Sequence, residues 1–133
     1  MAETVILFKE LTETIIGSAM KVHTHFGPGF PEIIYQRSLA IELQNNMLVV
    51  ETQKEIDIYY LANFIGKRRI DMLVESLVLL ELKALPYMDP NWNNQVINYL
   101  KVFGIKVGVL LNFGCESLHF KRFVNEKQSA KSV

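Results

Sequence analysis

Residues 79–85 read LLELKAL, and the parity of this stretch constrains the fold more than any other feature of the chain. Alternate side chains of a strand point to opposite faces. Over residues 77–84, Val78, Leu80, Leu82 and Ala84 form one wholly apolar face, while Leu77, Leu79, Glu81 and Lys83 form the other. The preceding stretch divides likewise, with Ile70, Met72 and Val74 on one side and Arg69, Asp71 and Leu73 on the other. A hairpin centred on Ser76 pairs Val74 with Val78, Met72 with Leu80 and Ile70 with Leu82. It sets Asp71 opposite Glu81 and Arg69 opposite Lys83. A two-residue turn at Glu75-Ser76 would slip the register by one and bring charge to the core face, which burial penalises. The pattern therefore predicts an odd-numbered loop.

That register sets two carboxylates side by side. Like charges ~4 Å apart repel by about 4 kcal/mol at a moderate effective dielectric, and desolvation adds roughly several kcal/mol per buried ion. Arg69 and Lys83 could offset this as a structural salt-bridge cluster. A divalent cation would offset it better, because magnesium prefers hard oxygen ligands. Either pair alone reads as a salt bridge; Asp71, Glu81 and Lys83 together read as a site.

The flanking sequence supplies the elements around this hairpin. From Leu7, the series Leu11, Ile15, Ala19, Val22 and Phe26 steps by three or four, as in an amphipathic helix. FGPGFP (26–31) breaks it, and Pro31 suits the first turn of a second helix running to about Asn45. That helix is expected to bury Ile34, Leu39, Ile41 and Leu43. Strands are expected near 52–60, 66–74 and 77–84. Asp89-Pro90 then reads as a helix start, and Gly104 as its end. KVGVLLNF (106–113) reads as a buried strand and SLHFKRFV (117–124) as an alternating one. The order is helix, helix, three strands, helix, strand, strand, in one α/β domain over residues 1–125 with a frayed polar tail at 126–133. Strand 77–84, helix 90–103 and strand 106–113 form a βαβ unit, whose two strands must be parallel, so the central sheet is mixed and flanked by helices.

Charge and cysteine content limit the function classes. Fourteen basic and fourteen acidic residues balance, which is not the footprint of a strong non-specific nucleic-acid binder. One cysteine, Cys115, excludes an intramolecular disulfide and fits a reducing compartment. The start MAETVILFKE is acidic and unlike a signal peptide. No apolar run approaches the roughly 18 residues needed to span a bilayer. A cytoplasmic protein without membrane association is expected.

RID (69–71) followed after nine residues by ELK (81–83) resembles the metal-site motif of the PD-(D/E)XK nuclease superfamily. GFPEIIY (29–35) is similar to Gly-x-x-Glu-x-x-Tyr, the signature of the GxxExxY proteins, a small bacterial branch of that superfamily. QVINY (95–99) resembles the Gln-x-x-x-Tyr motif of exonuclease-like branches, and GVLLNFG (108–114) also looks like this branch. The resemblance extends from Val5 to Val124. It implies a restriction-endonuclease-like αβββαβ core preceded by an extra N-terminal helix. It implies Asp71 and Glu81 as magnesium ligands with the backbone carbonyl of Leu82, manganese being a possible substitute. Lys83 would orient or activate water and stabilise developing charge. Glu32 would be the additional acidic residue at the metal, and Gln95 and Tyr99 would border the site from one helical face.

Blander readings stand beside these. Glu32 alone is a helix surface residue, and Tyr35 a packing aromatic. Trp92 reads as core packing, with base stacking as the alternative. His23 and His25, two apart on a helix, make a poor metal pair, and His119 points outward. GKRR (66–69), with Lys101, Lys106, Lys121 and Arg122, is either a solvated charge run or a set of phosphate contacts. The leading expectation is a metal-dependent nuclease hydrolysing phosphodiester bonds in DNA or RNA. The alternative is a non-catalytic module of the same fold that binds nucleic acid or a protein partner. A core this small could also depend on a homodimer or on another protein for its grip on substrate.

Overall fold

A computed structural model describes the backbone of residues 2–126 and 129–132 and the side chains of residues 8–125. Helix α1 (Ala2–Phe26) and α2 (Glu32–Asn45) precede β1 (Val50–Tyr60), β2 (Asn63–Val74) and β3 (Val78–Lys83). Helix α3 (Asn91–Phe103), β4 (Val107–Asn112), β5 (His119–Glu126) and β6 (Ser129–Ser132) follow. The six strands form one sheet in sequence order, with β3 and β4 parallel and every other neighbouring pair antiparallel. This is the mixed α/β architecture anticipated from the sequence. Among the described residues, no helix is long and apolar enough to cross a membrane.

The helix boundaries follow local chemistry. Gly27 (φ +67°) and Gly29 (φ +109°) take left-handed backbone that ends α1 and turns the chain into α2. At the start of α3, the Asp89 carboxylate accepts the Asn91 N–H (2.9 Å). Gly104 (φ +66°) closes that helix, and its N–H reaches the Leu100 carbonyl.

The sheet separates two apolar layers. Leu11, Ile15, Ala19 and Val22 of α1, with Tyr35, Leu39 and Leu43 of α2, cover Met72, Val74, Val78, Leu80, Leu82, Val109 and Leu111. Trp92, Val96 and Leu100 of α3 cover Ile70, Leu73, Leu79, Leu110 and Phe123. Every residue of β4 is buried, as a strand covered by helices on both faces requires. In α2, however, Ile41 is 58% exposed, and the fully buried residues are Tyr35, Leu39 and Leu43. Ile41 lies two residues from both Leu39 and Leu43, about 200° around the helix axis from each, so its side chain cannot share their face.

The β2–β3 register has the expected core. Met72 pairs with Leu80, Leu73 with Leu79 and Val74 with Val78, across the three-residue loop Glu75–Leu77. The pairing stops there: the Asp71–Glu81, Ile70–Leu82 and Arg69–Lys83 partnerships do not form. Nor does Ile70 share a layer with Met72; it packs under α3. The cause sits on β1. Gln53 takes a left-handed backbone (φ +52°), and the β1–β2 register steps from Thr52–Met72 to Lys54–Ile70 without a Gln53–Asp71 pair. Its side chain is bonded to Gln36 of α2 (2.7 Å). Both ladders beside Asp71 are therefore interrupted, and β2 changes face there.

Past residue 125 the sequence suggests only a polar tail. Residues 127, 128 and 133 lie outside the described residues. The backbone of Ser129–Ser132 runs as β6 against β5, from Phe123–Ser132 to Glu126–Ser129. A ladder needs only free backbone groups on an edge, so a polar segment can pair where it has no apolar face to offer.

Candidate metal and phosphodiester site

Where β2 leaves β3, the Asp71 carboxylate replaces the missing backbone partner. Its Oδ2 accepts the Leu82 N–H at 2.8 Å. The N–H and C=O of one strand residue face the same edge, so the Leu82 carbonyl is directed to the side occupied by Asp71. Lys83 O faces the opposite edge, where it accepts the Phe113 N–H (2.8 Å). The sequence therefore delivers two carboxylates and one main-chain oxygen to a single gap in the sheet.

Glu81 is only 4% exposed although it carries a carboxyl group. Burial first and then the Asp71 charge, against the opposing pull of Lys83, bring its pKa up to about 8. Asp71 is also raised, first by burial, against the lowering effects of the Leu82 N–H and the Lys83 charge. The two carboxyl groups form a hydrogen-bonded couple, in which a retained proton offsets their repulsion. Lys83 Nζ lies 3.8 Å from Glu81 Oε2 and donates a long 3.4 Å bond to Gln95 Oε1 on α3. Gln95 Nε2 in turn is 3.5 Å from the Tyr99 hydroxyl, one helical turn on.

Glu32 opens α2 and feels the charges of both Asp71 and Lys83. Much of its surface remains open to solvent, yet the portion turned to the site is desolvated. Its pKa is raised by that burial and then by Asp71. Tyr35 explains how it is held there. The buried Tyr35 hydroxyl donates to Gly27 O (2.5 Å) and accepts from Phe30 N (3.1 Å), fastening the glycine turn immediately before Glu32. The ring stacks on Phe113 at 4.7 Å. Its packing role is real, and the hydroxyl adds a second one.

The structure thus brings Glu32, Asp71, Glu81, Leu82, Lys83, Gln95 and Tyr99 into one neighbourhood. Among the described residues, no three His, Cys, Asp or Glu side chains converge tightly enough to hold a metal by themselves. Glu32 accordingly stands beside the Asp71–Glu81 pair. The donor set of two carboxylates and a carbonyl is all oxygen, which fits a hard divalent cation that keeps several waters.

Other candidates fall elsewhere. The GKRR run lies on the hairpin arm, where Lys67 is 3.9 Å from Glu55 and from Asp57, and Arg69 is 3.3 Å from Glu55. His23 is buried and bonded through Nε2 to Cys115 O (2.9 Å), and His119 is exposed. Trp92 is packed in the layer beneath α3, and Lys83 Nζ lies 5.4 Å from its ring centre. Sequence reasoning overlooked Asn112, whose side chain is fully buried and bonded to the loop after β3. The signal was present, since Asn112 is the one polar side chain in VGVLLN.

A family model described as the PD-(D/E)XK nuclease superfamily matches residues 9–123. Comparison with curated proteins and with solved structures finds no match. The matched span contains every element from most of α1 into β5, together with Asp71, Glu81, their lysine and the helix that borders them. On that span, the chain belongs to the PD-(D/E)XK nuclease superfamily.

Proposed function

We propose that the protein hydrolyses phosphodiester bonds in nucleic acid with a divalent cation, magnesium first and manganese as a substitute, held by Asp71, Glu81 and the Leu82 carbonyl. The carrying observation is buried Glu81, whose pKa of about 8 reflects its own desolvation and the neighbouring Asp71 charge, set against one lysine. That local deficit of positive charge is what a cation meets. Nucleases of this superfamily are generally dependent on divalent metals, and a bound cation polarises phosphate oxygens and lowers the pKa of water.

The chain's own groups then have separate tasks. Lys83 holds a positive charge beside the phosphate and orients the water that attacks it. Gln95 positions Lys83 by accepting its hydrogen bond, and Tyr99 steadies the Gln95 amide. Glu32 would contribute a further negative charge at the rim of the site. The Gly29-x-x-Glu32-x-x-Tyr35 arrangement supports membership of the GxxExxY branch. Its glycine makes the turn, its tyrosine closes the turn, and its glutamate is presented to the site.

The test incubates the protein with single- and double-stranded DNA and RNA in magnesium, manganese or chelator. Cleavage that requires the metal and is lost in Asp71→Ala and Lys83→Ala is the expected result. Melting temperature gives a readout independent of turnover: magnesium should stabilise the natural protein and not Asp71→Ala. Tight binding of nucleic acid without cleavage in either metal would replace this reading with a non-catalytic binding module.

A further inference from the structure

The loop from β3 to α3 holds an exposed aromatic ring on a frame more rigid than a solvent loop requires. Asn112 pairs with Lys83 in the β3–β4 ladder. Its Oδ1 accepts the N–H groups of Leu85 (3.1 Å) and Gly114 (3.0 Å). Its Nδ2 donates to the carbonyls of Leu85 (3.0 Å) and Tyr87 (2.9 Å). Gly114 lies so close to this loop that a Cβ there would stand 2.2 Å from Leu85 N. The Tyr87 ring rests nearly parallel to Trp92, with centroids 6.0 Å apart and planes at 26°.

Despite that support, Tyr87 is 55% exposed. Trp92, which Tyr87 stacks on, also lies against Lys83, whose Nζ stands 5.4 Å from the Trp92 centroid. An open ring fixed in place beside the cationic end of the carboxylate site has the form of a stacking platform. Its occupant must combine a flat apolar face with a phosphate that suits Lys83. An unpaired nucleotide does so. A base within a duplex does not, because its faces already lie against its neighbours.

We propose that Tyr87 stacks an unpaired base beside the phosphate at Lys83, making single-stranded nucleic acid, DNA or RNA, the preferred substrate. The proposal rests on the nuclease reading above and specifies its substrate. Stacking on an aromatic ring tolerates any base, so this platform confers strand-state preference without sequence preference.

The experiment titrates the full chain with a fluorescein-labelled DNA oligonucleotide, its RNA equivalent and the annealed DNA duplex, with calcium in place of magnesium. Anisotropy is read together with the fluorescence of Trp92, the chain's one tryptophan. The natural protein should bind the single strands more tightly than the duplex, with quenching of Trp92. Tyr87→Ala should lose about tenfold in single-strand affinity and the quenching, whereas Tyr87→Phe should keep both. Equal losses in the Ala and Phe variants, or an undiminished single-strand preference in Tyr87→Ala, would overturn the platform. A parallel magnesium cleavage assay separates the two readings. If cleavage occurs and depends on Asp71 while Tyr87→Ala keeps its preference, the platform alone fails. If no nucleic acid is bound or cleaved, both fail.

Discussion

Replacing Glu81 by glutamine should stabilise the metal-free protein at neutral pH. Glu81 ordinarily has a pKa of 4.5 and in the fold about 8. Below pH 4.5 the folded and unfolded chains both hold the proton, and the site imposes no penalty. Between pH 4.5 and about 8 unfolding releases a proton, so stability falls as pH rises. At 1.36 kcal/mol per pH unit, the loss is about 3 kcal/mol at pH 7 and roughly 5 kcal/mol once the folded group has ionised. The proton is shared with Asp71, so this loss belongs to the couple. Glutamine keeps the shape and removes the titration. The Lys83 charge 3.8 Å away already counts within that value, since it acts against the rise. The expectation is about 3 kcal/mol of added stability at pH 7, roughly 9–15 °C in melting temperature for a chain of this size. Chemical denaturation across pH 4 to 9 with chelator present measures it. The advantage should shrink toward zero in acid, and added magnesium should stabilise the natural protein more than the variant. A variant less stable than the natural protein at pH 7, or a gain that does not change with pH, would refute the argument and identify Glu81 as the partner in a structural salt bridge.

Two further substitutions probe the frame of the site. Asn112→Ala strips partners from two N–H groups and two carbonyls around the Tyr87 loop. It should cost about 3–4 kcal/mol, read as a lower denaturant midpoint with an unchanged slope. Tyr35→Phe keeps the stack on Phe113 and loses both hydroxyl bonds of the glycine turn. A loss of about 1 kcal/mol is expected in thermal unfolding, together with weaker magnesium stabilisation, because Glu32 is no longer held beside Asp71.

Much of the architecture was legible because periodicity and register are local properties. Two apolar faces of matching parity allow one pairing of Met72, Leu73 and Val74 with their partners, and a slip would bury charge. The helix boundaries followed from Gly27, Gly29, Asp89 and Gly104, whose backbone or side-chain chemistry acts within a few residues. The carboxylate pair and Lys83 were visible for the same reason, since two adjacent strands carried them.

The limits of that reading are equally physical. Ile70 changed layers because Gln53, far away in sequence, distorts β1 opposite Asp71 and is held by Gln36 of α2. Parity assumes an uninterrupted strand, and only the packed neighbours determine where a strand breaks. The same break lets the Asp71 carboxylate take the Leu82 N–H and turns a hairpin into a cleft.

The sequence by itself determined the order of elements, the core register of the hairpin and the presence of two carboxylates and a lysine on two adjacent strands. Tertiary structure decided what those charges experience. Helix α3 sets Gln95 and Trp92 against Lys83, α2 adds Glu32, and the burial of Glu81 with the Asp71 charge raises its pKa to about 8. Alternation along the chain fixes which way a side chain points, whereas a pKa depends on the solvent and charge surrounding it, and those arrive only when distant segments pack.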